Sequence, residues 1–301
     1  MQILMTGGSG FLGSNLSSEI EKIGVPIFHV PSLKEFTSAS SISDLEIQIM
    51  QNSVVSEIID KLNSSLDLVV IHCANRYVKH SYEEFSELGS MKFSILDLLY
   101  NILGISMTKF KSIYVVNFES YLQNEDSTFQ KSASLYAALK NANSTILRHL
   151  HQSNNIQLLN IMLYDTFGFN DKRSKLIPQL LNLSIQDKKE LIIANPKNLI
   201  NILEIQTLCR TLIDFIFAKR VGNYTFMRNQ NFSVQEVVNL CEVSWNVKFN
   251  LTVAPYEKNR DKEIASIWLN RNNENIVVKS PDISYELSQL WKRFSSESEL
   301  M

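Results

Sequence analysis

Cysteine is scarce in this sequence, and the three present (Cys73, Cys209 and Cys241) lie far apart with no CxxC pair. An odd, dispersed set makes neither a disulfide framework nor a thiolate zinc site; it reads as core thiols in a reducing compartment. The five histidines (His29, His72, His80, His149 and His151) form no metal-like cluster, and His149 and His151 do not share a helical face. An excess of either charge is missing too. The net charge is -2 and no basic run occurs, which argues against nucleic acid as the main partner, because phosphate binding needs a clustered basic surface. No stretch approaches the roughly 18 to 20 apolar residues of a membrane span, and the opening Met1-Gln2-Ile3-Leu4-Met5, which runs on into glycines, offers no basic n-region. Repeats and long low-complexity linkers are absent. The expectation is a cytosolic protein with neither membrane nor nucleic acid as partner, and 301 residues are enough to bury a core without staples.

What is present is an alternation. Short apolar runs at Gln2–Met5, Pro26–Val30, Leu68–His72, Ser112–Val116 and Gln157–Met162 read as strands. Between them lie amphipathic stretches at Gly13–Ile23, Val54–Leu62, Phe93–Leu103 and Tyr136–His151 that read as helices. Strand-helix alternation predicts βαβ units and an α/β fold with a doubly wound parallel sheet buried on both faces. The continuously apolar Leu68-Val69-Val70-Ile71 suits a central strand, and His72 at its end reads as a hydrogen-bonded structural residue. Beyond about residue 165 the pattern is irregular, with helices expected at Ile205–Phe217 and Val234–Cys241. The expected organisation is a parallel-sheet domain over 1–165 and a smaller, partly interleaved lobe over 166–301.

Thr6-Gly7-Gly8-Ser9-Gly10-Phe11-Leu12-Gly13 follows the first strand and opens the first helix. It fits G-x-G-x-x-G through Gly8, Gly10 and Gly13, and G-x-x-G-x-x-G through Gly7, Gly10 and Gly13. Glycine lets the backbone turn tightly and approach a pyrophosphate, while the helix N-terminus offers free N–H groups to that anion. No Gly-Lys-Ser/Thr follows, so this is not a P-loop. The competing reading is a glycine turn with no ligand. The second strand ends Phe28-His29-Val30-Pro31-Ser32-Leu33-Lys34, without the acid that commonly holds the NAD ribose. Ser32 and Lys34 suit a 2′-phosphate instead, so the cofactor is NAD or NADP with a lean to NADP; a solvated Lys34 is the alternative.

Tyr136 and Lys140 stand at i and i+4, on one helical face. A neighbouring ammonium favours the phenolate and suits the tyrosine to proton transfer at a carbinol carbon during hydride transfer. A plain surface helix pair is the competing reading for the two alone.

With these residues in view, the chain resembles the extended short-chain dehydrogenase/reductases, the nucleotide-sugar epimerases and dehydratases, over nearly its whole length. Thr6–Gly13 resembles that family's T-G-x-x-G-F-x-G turn. Asp67-Leu68-Val69-Val70-Ile71-His72-Cys73-Ala74 resembles its D-x-V-I-H-x-A strand, which implies that Cys73 and Ala74 face the nicotinamide side of the cofactor. Tyr136 and Lys140 match its Y-x-x-x-K pair. Leu163–Asp171 with Lys175-Leu176-Ile177-Pro178 resembles the segment where its substrate lobe begins. Within the family, Ile71–Tyr77 and Asn117–Leu122 are similar to segments of the CDP-abequose synthase-like reductases of lipopolysaccharide sugar pathways. The resemblance implies a Rossmann domain, a nucleotide-sugar substrate, Tyr136 as general acid/base, Lys140 as its partner and ribose contact, and Arg260 on the substrate pyrophosphate. A charged loop facing water is the alternative for Arg260. The resemblance also suggests a homodimer through two helices of the Rossmann domain.

Four departures stand against full activity. Phe118 occupies the position of the family's Ser or Thr donor and can donate nothing from its side chain, which leaves Ser120 as a substitute. Ser90 replaces an active-site Asn. Leu199–Thr207 lacks the Arg and both Asp of the family's R-D-F-x-x-V-x-D-V segment. The acid after the second strand is missing. Of the acid–base pair that dehydratases use, Glu119 alone remains, and it reads as a solvated or capping carboxylate more readily than as a base. The expected chemistry is reduction of a 4-keto sugar or 4-epimerisation, with a catalytically impaired dinucleotide- or nucleotide-sugar-binding protein as the rival.

Overall fold

A computed structural model describes residues 1–31, 44–74, 89, 92–123, 135–186, 189–254 and 273–298. Its frame is a seven-stranded sheet in which every pairing is parallel. The strands are β1 (Gln2–Thr6), β2 (Ile27–Val30), β3 (Leu68–His72), β4 (Ile113–Ser120), β5 (Gln157–Leu163), β10 (Gly222–Met227) and β13 (Glu274–Val277). Across the sheet they run β2-β1-β3-β4-β5-β10-β13. Helices cover both faces, so the central strands are buried on both sides; β3 is buried at all five positions. The doubly wound α/β fold expected from the alternation is present.

One face carries α1 (Phe11–Glu21) and α6 (Ile205–Phe217). The buried residues Ile205, Leu208, Cys209, Leu212 and Ile216 recur at helical spacing and lay α6 on a core shared with Ile3, Met5, Ile71, Val116 and Phe226. The Glu204 carboxylate accepts from the Thr207 amide at 2.8 Å and fixes where α6 begins. The other face carries α2 (Asp44–Lys61), α3 (Leu98–Lys109), preceded by a π-turn at Phe93–Asp97, and α4 (Leu135–Gln152).

The second half of the chain contributes α6, β10 and β13 to this frame. It also builds a core of its own from α5 (Leu176–Ser184), α7 (Val234–Trp245), α8 (Ile283–Ser298) and three two-stranded sheets. Those sheets pair β6 (Asp165–Phe167) with β9 (Ile202–Glu204), β7 (Glu190–Ile193) with β12 (Asn250–Val253), and β8 (Leu199–Ile200) with β11 (Phe232–Ser233). Two of the differences from the sequence reading matter for the site. β4 runs four residues past Val116, and β10 and β13 are strands that the irregular second half did not suggest. Among the described residues no helix is long and apolar enough to cross a membrane.

Asn201 ties the end of β10 to the core that the second half builds for itself. Its amide donates to Arg228 O at 2.9 Å and Asn231 Oδ1 at 2.8 Å, and its oxygen accepts from the Arg228 amide at 2.8 Å. The Arg228 side chain then donates to Ile202 O and Pro281 O and pairs with Glu286 of α8. Removing Asn201 strands buried backbone groups, which costs about 1–3 kcal/mol each when unsatisfied. Asn201→Ala is therefore expected to lower the unfolding free energy by about 2–3 kcal/mol in urea titration; a loss below about 0.5 kcal/mol, the scale of an ordinary surface change, would show the link to be dispensable.

Candidate active site

Sheet order reverses beside β1, since β2 and β3 flank it on opposite sides. In such folds a ligand crevice opens at the carboxyl ends of the strands on either side of the switch. The glycine turn sits there. Gly7 has φ +68, and a Cβ on it would overlap the Ala74 amide and Cys73 carbonyl carbon just past β3. A Cβ on Gly13 would overlap the Gly7 carbonyl, so α1 can press its first turn onto the loop only without a side chain there. Gly10 is the N-cap residue, and its amide donates to Gly7 O at 3.0 Å. Gly8 lies beneath the His29 imidazole, and Ser9 and Gly10 are exposed. The amides of Phe11, Leu12 and Gly13 open the helix without an i−4 carbonyl. A loop stripped of Cβ atoms at the mouth of a helix N-terminus fits a pyrophosphate.

The far wall is held by a short relay. The Ala74 amide donates to Thr6 Oγ1 at 3.3 Å, and the Thr6 hydroxyl meets His72 Nδ1 at 2.8 Å. His72 Nε2 meets Ile95 O at 3.1 Å. A carbonyl only accepts, so Nε2 carries the proton and Nδ1 accepts from Thr6. Burial, with Lys140 nearby, pushes the His72 pKa down to about 3, so the ring is neutral and structural. Burial likewise pushes the Cys73 thiol up to about 12.

Tyr136 and Lys140 are both buried on α4. Tyr136 packs against Ile95. Lys140 Nζ donates to Phe118 O at 2.9 Å. Phe118 directs its ring into the core shared with α1 and α6, so its backbone carbonyl serves the site although its side chain does not. In register terms Phe118 lies one residue beyond the row Thr6–His72–Asn117, level with Gly7 and Cys73. The lysine anchor and the glycine turn therefore share one edge of the sheet. Burial lowers the Lys140 pKa to about 8 against the upward pull of Cys73 and Glu119, so the side chain is mostly charged at neutral pH. Ser120 closes β4, half-buried, its amide donating to Gln123 Oε1 at 2.6 Å.

Glu119 requires a correction. It is neither solvated nor a helix cap: its carboxylate is buried and accepts from Asn160 at 2.5 Å and Arg148 of α4 at 2.8 Å. Ser32, Lys34, Ser90 and Arg260 lie outside the described residues.

Sequence reasoning passed over two features here. Tyr121, next after Ser120, donates to Asp165 Oδ2 at 3.2 Å, and Lys175 donates to Asp165 Oδ1 at 2.7 Å. Asp165 and Lys175 border a mostly apolar cavity of about 130 Å³ in the second lobe, walled by Phe167, Ile177, Pro178 and Ile202 among others. Neither Tyr136 nor Lys140 lines it. Arg173, held by Asp171 and Thr166, places its guanidinium 4.1 Å from the Phe11 ring centroid and ties that lobe to the glycine turn. Both features depend on segments distant in sequence, so no local pattern announces them; the basic and acidic residues packed into Asp165–Lys175 were the available signal.

A model of the NAD dependent epimerase/dehydratase family matches residues 3–203. CDP-abequose synthase of Yersinia pseudotuberculosis is 22% identical over 286 residues, 90% of this chain and 94% of that protein. Among solved structures, the UDP-glucose 4-epimerase of Thermus thermophilus in complex with NAD superposes with a TM-score of 0.71 at 15% identity, covering 98% of this chain and 99% of that one. RMD from Pseudomonas aeruginosa complexed with NADPH gives a TM-score of 0.71 at 14% identity, covering 99% and 100%.

The buried ammonium has a pH signature. The folded pKa of Lys140, about 8, lies below its ordinary value of 10.5. Between these values the unfolded chain holds more protons, so this group's contribution to stability grows as pH rises through the window and is lost as pH falls through 8. Lys140→Met removes the group, so the variant's thermal midpoint relative to the native protein is expected to decline between pH 8 and pH 10. A constant difference across that range would contradict a buried, charged Lys140.

Proposed function

The chain belongs to the NAD dependent epimerase/dehydratase family, and from that footing we propose that it is a nucleotide-sugar oxidoreductase, a 4-keto reductase or a 4-epimerase serving surface polysaccharide synthesis. The observation that carries this reading is Lys140, buried and charged one helical turn from Tyr136, with its anchor carbonyl level with the glycine turn. The loop Gly7, Gly8, Ser9, Gly10, Phe11, Leu12 and Gly13 would cradle the dinucleotide pyrophosphate, with the amides of Phe11, Leu12 and Gly13 as its donors. Cys73 and Ala74 line its nicotinamide side, and Ser32 and Lys34 meet its adenosine end. When bound, the nicotinamide gives or takes the hydride.

Tyr136 gives a proton to the ketone oxygen in reduction and takes one from the hydroxyl in oxidation. Lys140 favours the phenolate through its charge and holds a ribose hydroxyl. Its charge is present below pH 8 and fades above it, so turnover that relies on it falls on the alkaline side. Ser120 supplies a hydrogen bond to the reacting oxygen, and Arg260 meets the substrate diphosphate. Dehydration is disfavoured, because Glu119 is locked by Arg148 and Asn160 rather than free to move a proton. The nucleotide-linked sugar draws support from the CDP and UDP in the names of the relatives. A cytoplasmic homodimer through two helices of the first domain completes the reading.

A second reading rests on the same residues. The Phe118 ring is turned into the core, and in Leu199–Thr207 the one charged side chain, Glu204, is spent capping α6. Both suit a protein that binds dinucleotide or nucleotide sugar without turnover.

Oxidation of NADH or NADPH on addition of a 4-keto sugar nucleotide separates these cases. A reductase consumes cofactor stoichiometrically, whereas an epimerase interconverts sugars with no net change in absorbance. Tyr136→Phe is expected to lower the rate by about 100- to 10,000-fold, with dinucleotide affinity within about threefold. A native protein with no turnover on any such sugar supports the binding reading instead.

A further inference from the structure

Directly beneath the active edge, a row of polar side chains crosses the sheet in register. Asn117 of β4 stands opposite Asn160 of β5, and Asn160 opposite Asn223 of β10. Asn117 donates to Asn160 Oδ1 at 2.6 Å, and Asn160 donates to Asn223 Oδ1 at 3.1 Å. The row also climbs into the helices above it. Asn143 of α4 donates to Asn117 Oδ1 at 2.9 Å and accepts from the Tyr100 hydroxyl of α3 at 2.9 Å. Asn117, Asn143 and Asn160 are fully buried.

A core of this kind does not need carboxamides for stability. Replacing both partners of a buried hydrogen bond by apolar groups of similar shape is often close to neutral, whereas stranding one partner is costly. What the pair adds is geometric. Apolar contacts change little as a helix slides by a few tenths of an ångström, while a hydrogen bond weakens as its length and angle depart from a narrow range. Asn143 follows Lys140 by three residues on the same buried face of α4, and Asn117 precedes Phe118 by one residue on β4. Of three side-chain bonds that bolt α4 to β4, Arg148 to Glu119 lies farther along the helix, and two act beside the site: Asn143 to Asn117, and Lys140 to the Phe118 carbonyl.

We propose that Asn117 and Asn143 are positioning residues for Lys140: their hydrogen bond sets the height of α4 over β4 so that the ammonium meets the Phe118 carbonyl at the active edge. The proposal rests on the role given to Lys140 above. It adds two residues that touch neither cofactor nor substrate and act through the helix. Among the described residues, the titratable groups facing Lys140 are Cys73 from β3 and Glu119 from β4, with His72 of β3 also within its influence. Tyr136 stands one turn before it on α4. Glu119 is itself held by the row, through Asn160.

The test compares the native protein with an Asn117→Leu/Asn143→Leu double variant and with Tyr100→Phe, which trims only the hydroxyl at the helix end of the row. Brief acetylation across pH 6.5–10.5, read peptide by peptide in a mass spectrometer, gives the labelling midpoint of Lys140 without any substrate. The native midpoint is expected near 8. In the double variant α4 drifts and water reaches the ammonium, so the midpoint rises by about half a pH unit or more towards the ordinary lysine value. Tyr100→Phe gives a smaller shift of the same sign, and other lysines such as Lys175 do not move. The double variant leaves Asn160 Oδ1 and the Tyr100 hydroxyl without these partners, so its thermal midpoint is expected to fall by about 5–15 °C while the protein stays folded at the labelling temperature. Where the native protein turns over, kcat falls by about tenfold or more at little-changed KM, since small misplacements of catalytic groups cost rate.

An unchanged Lys140 midpoint in the folded double variant overturns the proposal. So does a double variant that unfolds, because the pair would then be needed for stability rather than register. A native protein that binds no dinucleotide would instead sink the proposed function, an outcome this titration does not depend on.

Discussion

A charged amine buried at the junction of a helix and a strand end is the constraint around which the rest of this site is arranged. Taking an ammonium out of water is costly unless its surroundings replace that water. Here one backbone carbonyl, Phe118 O, accepts from Lys140 directly, and the neighbours are matched to its charge. His72 is held neutral between Thr6 and the Ile95 carbonyl, so no second cation competes. Glu119, held by Arg148 and Asn160, pulls the Lys140 pKa upward against the larger effect of burial. The result is an amine that remains mostly protonated near neutrality while sitting in a site dry enough to act strongly on its neighbours.

The same edge is where the two halves of the chain meet. The parallel order reverses at β1, which leaves an opening between β1 and β3, and the loss of Cβ atoms at Gly7 and Gly13 lets the first turn of α1 close onto it. The second half does not simply sit beside this frame. It adds β10 and β13 to the sheet and α6 to its face, and Arg173 and Asn201 tie its own core back to the glycine turn and to the end of β10. A cavity in the second lobe, bordered by Asp165 and Lys175, is thereby fixed relative to the strand ends, with Tyr121 as the connecting side chain.

Much of this was readable in the chain. Strands β1, β2, β3 and β5 are short apolar runs with buried neighbours on both faces, and α6 announces itself through Ile205, Leu208, Cys209, Leu212 and Ile216 at helical spacing, so local pattern and tertiary environment agree. The glycine turn is legible because few other local geometries call for that sequence. The failures share one cause. β4 reads as ending at Val116 because Asn117 and Glu119 are polar, and β10 is hidden by Asn223 and Thr225; yet these side chains lie on a buried face and are satisfied by one another, by Arg148 and by Asn273. Polar residues normally signal exposure, and a network that closes on itself defeats that signal. Glu119 was misjudged for the same reason, since its partners lie 29 and 41 residues away.

The central claim is that this glycine turn holds a nicotinamide dinucleotide over the Tyr136–Lys140 edge. It is tested most directly by calorimetric titration of the purified protein with NAD, NADH, NADP and NADPH, after assaying for cofactor carried through purification. One-to-one binding of at least one of the four is predicted, tighter for the phosphorylated pair if Ser32 and Lys34 face the adenosine ribose, and abolished by Gly7→Val. Heat-silent titrations with all four, and no carried cofactor, would contradict it.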